Sequence, residues 1–111
     1  MNTLITDCVC RAAKDSLARD ARQTVFLTSP KHTQSARLIL ASVLPSGSSC
    51  DEHGVWITPD GASMEVRRYD EEIPAYTQPV AFHPCYGGDA LTQEEVALVQ
   101  RWRKSVPAMG A

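Results

Sequence analysis

The sequence predicts an α+β fold: a small, mainly antiparallel sheet of three to four strands with two to three helices packed on one face, built by residues 1–111 as a single compact domain. Three observations predict it. An apolar run, Thr24 to Thr28, leads straight into a helix-period segment, 30–44. Two short alternating segments flank Pro59-Asp60-Gly61, where proline presets a turn and glycine closes it. A helix with full cap chemistry opens at Thr92. Strand and helix patterns do not alternate strictly, which points to helices laid on an antiparallel sheet. A chain of this length buries roughly two thirds of its unfolded surface, enough for one core.

Taken in order, Thr6 or Asp7 is expected to cap a first helix running to about Arg22. Val9, Ala13 and Leu17, with Ala12 and Ala21 alongside, give it a thin apolar stripe. It is expected to cover the domain and not to centre it. The segment 24–44 is the expected organiser. Ser29 is placed as an N-cap and Pro30 at the first helical position, where no amide hydrogen is missed. Ala36, Ile39, Leu40, Val43 and Leu44 share one helical face, and Pro45-Ser46-Gly47 stops the helix. Residues 46–54 lack core-forming side chains and read as a mobile or functional loop.

In the hairpin, Val55 and Ile57 are expected to share a buried face with Met64 and Val66, leaving Glu65, Arg67 and Tyr69 outward. Pro74, Pro79 and Pro84 interrupt the next segment, so residues 80–83 read as a short edge strand. Thr92 caps the last helix, Glu95 completes a capping box, and Leu91 and Val96 hold the staple positions. Asp89, Glu94 and Glu95 favour the positive end of the helix dipole, and Arg101, Arg103 and Lys104 the negative end. Leu98, Val99, Trp102 and Val106 form the buried face. Pro107 ends the helix, and residues 108–111 read as a frayed tail.

Net charge is -2, but it is unevenly spread. Residues 1–50 hold six Lys/Arg against three Asp/Glu, and residues 51–111 hold five against ten. The second half therefore offers an acidic surface to a basic partner. Basic residues do not cluster with aromatics and the isoelectric point is about 5.8, which disfavours nucleic acid as a direct ligand. No basic leader opens the chain and no stretch approaches the length of a membrane span. A cytoplasmic protein with reduced cysteines and no membrane contact is expected.

Cys8-Val9-Cys10, Cys50-Asp51-Glu52-His53 and His83-Pro84-Cys85 carry the residue types of a zinc site or an activated thiol. On a helix, Cys8 and Cys10 would point about 200° apart. No third, orienting group stands at a recognisable spacing from either Cys/His pair. No catalytic residue, metal or cofactor is therefore expected. Cys50, His53, His83 and Cys85 define the alternative, a small thiol- or zinc-dependent protein. The start of the central helix is a candidate anion site made of free amides with Ser29, Lys31, His32 and Arg37. Lys31 and His32 put positive charge where the helix dipole disfavours it, a conflict that an acidic ligand resolves.

The leading functional expectation is a non-enzymatic protein-binding module that covers part of a macromolecular partner. An inhibitor of host machinery encoded by a phage or mobile element is the setting expected for it. Its contact residues are expected to be Glu65, Arg67, Tyr69, Asp70, Glu71, Glu72 and Tyr76, because tyrosines beside acids suit an interface better than a core. A nucleic-acid-associated regulator using the basic first half is a third reading.

Overall fold

The computed structural model describes residues 3–88 and 90–109. Three helices pack against one five-stranded sheet, so the α+β class stands with one strand more than expected. In chain order the elements are α1 (Thr3–Ala18), β1 (Gln23–Thr28), α2 (Thr33–Val43), β2 (Ser49–Cys50), β3 (Trp56–Ile57), β4 (Ser63–Arg68), β5 (Ala81–Cys85) and α3 (Gln93–Ser105). The sheet order is β2-β3-β4-β1-β5. The β2, β3 and β4 strands are antiparallel, while β1 runs parallel to both β4 and β5.

Strand β1 sits at the centre because its side chains are apolar on both sides. Phe26 points into a core with Ile5, Val9 and Ala13 of α1, Ala36, Ile39 and Leu40 of α2, and Met64 and Val66 of β4. Val25 and Leu27 point the other way, into a second core with Val80, Val99, Trp102 and Val106. A strand of this kind needs cover on both faces. Two helices, α1 and α2, pack on one face, and α3 packs on the other. The expected sharing of a face by α2 and α3 is thereby corrected. Trp102 is fully buried and donates from Nε1 to the Tyr69 carbonyl, 2.9 Å away, which fixes α3 on its own side.

Several local boundaries differ from the sequence reading. Thr6 and Asp7 lie inside α1 and not at its cap. The helix ends early: Asp20 adopts φ 54, and the Ala21 amide donates to the Ser16 carbonyl at 2.9 Å. That is a left-handed helix stop without glycine. Ile5, Val9 and Ala13 are at most 1% exposed, so α1 is a core element and not a thin cover. Ser29 makes no side-chain cap bond, and Pro30–His32 forms a 3-10 turn before α2 begins. The loop 46–54 contains β2, and Asp51 organises it by accepting from the His53 and Val55 amides at 2.8 and 3.0 Å.

The hairpin forms around Gly61, which adopts φ +89. Its register is one residue away from the expected one. Trp56 pairs with Met64 and Ile57 with Ser63, so Trp56 faces the α1/α2 core and Ile57 is 37% exposed. The cause is the three-residue loop 59–61 with glycine in the left-handed position, closed by the Thr58 amide donating to the Ala62 carbonyl at 2.8 Å. A one-residue slip exchanges the two faces of a strand.

At the other edge, β5 is the expected edge strand, but it runs Ala81–Cys85 and so takes in Pro84, which was expected to bound it. The capping box at Thr92 is complete, and Val99, Trp102 and Val106 are buried. Val96, expected in the staple, is 43% exposed. Within the tail expected to fray, Ala108 bridges Val80 and the Met109 amide donates to the Val80 carbonyl. Asp89, expected at the positive end of the α3 dipole, and Gly110 and Ala111 of the tail lie outside the described residues.

Candidate functional site

Strands β1 and β5 are parallel neighbours, yet the helices that follow them leave to opposite faces of the sheet. The chain diverges on either side of the strand ends and leaves a crevice there. In open sheets with parallel strands this is the usual place for a binding site. The crevice here is a cleft of about 260 Å³, lined by Ser29, Pro30 and Lys31 after β1, Tyr69 after β4, and the exposed Ala90 with Leu91 and Glu95 around the start of α3.

Each wall is set by local structure. The Tyr69 amide donates to the Thr28 carbonyl at 3.0 Å, continuing the β1/β4 pairing past the strand end. Its ring is buried, and its hydroxyl donates to Glu95. Glu95 also closes the capping box by accepting from the Thr92 amide at 3.0 Å. The Tyr69 hydroxyl, with help from the Thr92 amide, holds the Glu95 carboxyl below its ordinary value. Ser29 is 3% exposed, and its hydroxyl is buried without a hydrogen-bond partner among the described residues. The neighbouring hydroxyls are engaged: Thr33 bonds Thr28 at 2.8 Å and the Ser29 carbonyl at 3.0 Å.

The expected partner-binding residues divide sharply. Glu65, expected outward, is 4% exposed and lies 2.6 Å from Arg67. Arg67 also reaches Glu71 at 3.2 Å, so three expected contact residues are bound to one another. Tyr69, also expected outward, is 5% exposed and forms a wall of the cleft. Asp70 is held by both Arg68 Nε and Nη2 at 2.9 Å, and this pairing keeps its carboxyl below its ordinary value. The Glu71 carbonyl accepts from Arg101 of α3 at 3.1 Å. Tyr76 is half-buried against the α3-side core, and burial pushes its hydroxyl up. Glu72 is exposed. The premise of unpaired acids beside free tyrosines is therefore corrected for all but Glu72.

Of the expected anion site, Ser29 and Lys31 line the cleft, and Lys31 contributes to lowering the Glu95 carboxyl. His32 is half-buried, and Arg37 is exposed on α2 with its guanidinium 3.4 Å from the Val66 carbonyl. Those two are not part of the cleft lining. The sequence reading missed Leu91 and Glu95 as site residues. Their signal in the sequence is the capping box and staple, which explain both residues as folding devices without a site.

The expected thiol or zinc set does not converge. Cys50 and His53 belong to β2 and its loop at one sheet edge, and His83 and Cys85 belong to β5 at the other. Four strand spacings separate those edges, about 19 Å at roughly 4.8 Å each. Among the described residues no three His, Cys, Asp or Glu side chains gather in a metal-binding group. Cys85 instead lies in the core cluster against which Cys8 of α1 packs. Among the described residues no helix is long and apolar enough to cross a membrane. No protein-family model matches the chain, and no curated protein or solved structure matches it either.

Proposed function

We propose that this chain is a non-enzymatic protein-binding module that acts by covering part of a macromolecular partner, and that it makes contact through the strand-end cleft and its acidic rim. The observation that supports this reading is the size and place of the cleft. At about 260 Å³ it falls below the roughly 300–1,000 Å³ of most small-molecule sites. It suits one inserted side chain better than a cofactor. Pro30 and Leu91 offer apolar contact, and Ser29, Lys31 and Glu95 offer polar contact of both signs. A buried anchor surrounded by a polar rim is the arrangement from which interfaces draw most of their energy.

Asp70, Glu71 and Glu72 follow the cleft residue Tyr69 in the chain and supply the acidic rim in this proposal. Arg67, paired with Glu71, and Arg68, paired with Asp70, neutralise part of that acidity. A basic partner surface remains the expected complement, with a modest contribution of charge to the encounter rate. Occlusion of the partner, and hence inhibition, is the mode of action in this proposal.

The test is affinity capture of the tagged full chain from its native cell, repeated with variants. Ala90→Trp plugs the cleft mouth and is expected to abolish recovery of a stoichiometric protein partner. Glu72→Lys is expected to weaken it and Glu52→Lys, on the far loop, to leave it unchanged. Equal recovery by all three variants would reject the cleft as the contact.

A further inference from the structure

We propose that Cys8 and Cys85 form a thiol–disulfide couple, with Cys8 as the attacking thiol and the groove between α1 and β5 as its route to solvent. The proposal is independent of the cleft. The two residues belong to motifs far apart in sequence, Cys8-Val9-Cys10 on α1 and His83-Pro84-Cys85 on β5. Packing of α1 over the β5 edge lays Cys8 against the core cluster that holds Cys85, beside the residue that precedes Cys85. The Cys8 thiol also lies 3.5 Å from the Pro84 carbonyl, to which it donates when protonated.

The partners are unequal, as an attacking and a resolving thiol should be. Cys85 is 0% exposed and sits in the α1/α2 core. Cys8 is half-buried and lines a groove of about 520 Å³, with Arg11 and Asp15 of α1 and His83 of β5 around it. The neighbouring Cys85 thiol favours the Cys8 thiolate and lowers Cys8, while Cys85 itself is pushed up by Cys8 and by burial. Thiolate character together with access selects the cysteine that reacts first. Cys50 is the more exposed thiol, but it stands at the opposite edge of the sheet, among the described cysteines the one on that side.

The co-reactant is a hydroperoxide. The Cys8 thiolate attacks its terminal oxygen, the O–O bond breaks, and Cys8 becomes a sulfenic acid as the peroxide leaves as alkoxide or hydroxide. The Cys85 sulfur then attacks the Cys8 sulfur. The S–O bond breaks, a disulfide forms, and the Cys85 proton leaves with the hydroxyl group as water. Two electrons pass from the two thiols to the peroxide. A two-electron reductant such as a dithiol reverses the change.

The experiment treats the reduced full chain with hydrogen peroxide, blocks remaining thiols with iodoacetamide, and maps peptides by mass spectrometry. The expected result is an intact mass lower by two hydrogens before blocking and, after it, a cross-linked peptide pair joining Cys8 to Cys85, formed equally in Cys10→Ser protein. In Cys85→Ala, dimedone is expected to trap a sulfenic acid at Cys8 ahead of Cys50. Should that variant not fold, the wild-type map decides alone. Oxidation of Cys50 or Cys10 first, or of Cys8 to the sulfinic acid with Cys85 left free, would overturn the proposal.

Discussion

Glu65 and Glu95 show how two carboxylates take different roles from their surroundings. Glu65 is buried on the α3 side of β4 and depends on Arg67, 2.6 Å away. Because Glu71 shares Arg67, loss of Glu65 leaves the arginine partly satisfied. Glu65→Gln is therefore expected to cost about 1–3 kcal/mol in a denaturant titration, less than a fully orphaned buried ion. Glu95 is held low chiefly by the Tyr69 hydroxyl. A depressed carboxyl contributes stability that is complete above its unfolded value and is lost as pH falls through the folded one. Tyr69→Phe removes the main cause. Its melting temperature is expected to lie below wild type at pH 7, and the gap to narrow on acidification below about pH 4.5. A gap that stayed constant would detach Tyr69 from Glu95. The role of Glu65 was not legible in the sequence, because strict alternation fixes which residues share a face but not which face the register turns inward.

At the scale of elements, legibility followed local chemistry. The α3 start was readable because Thr92 and Glu95 satisfy each other within one turn. The α1 end was not, because its left-handed residue is Asp20 and not glycine. The run Thr24 to Thr28 is apolar without alternation, the pattern of a strand covered on both faces, and it held the sign that α3 would pack opposite α2. The parallel course of β5 was hidden because the crossover 69–80 carries no helical pattern. Two substitutions test these elements. Leu40→Ala in α2 is expected to cost about 2–5 kcal/mol, since Leu40 is 1% exposed beneath the sheet. Gly61→Ala is expected to cost about 1–2 kcal/mol through its φ of +89, since the nearest atom to an added Cβ is the flexible Arg22 guanidinium, 3.1 Å away. Unfolding curves check both, and a change near zero at Leu40 would remove α2 from the core.

For the whole molecule, two cores pack on either side of β1. Purified protein is expected to carry no stoichiometric zinc, and chelators to leave its melting temperature unchanged; a chelator-induced fall would contradict this. The same division of helices between the two faces opens the cleft, so architecture and proposed function share one cause. That link is tested most directly by site-specific photo-crosslinking in the native cell. A photoreactive amino acid replaces Ala90 at the cleft mouth or, in a second protein, Glu52 at the far sheet edge. The account expects one dominant protein adduct from position 90 and none from position 52. Adducts of equal yield from both positions, or from position 52 alone, would contradict it.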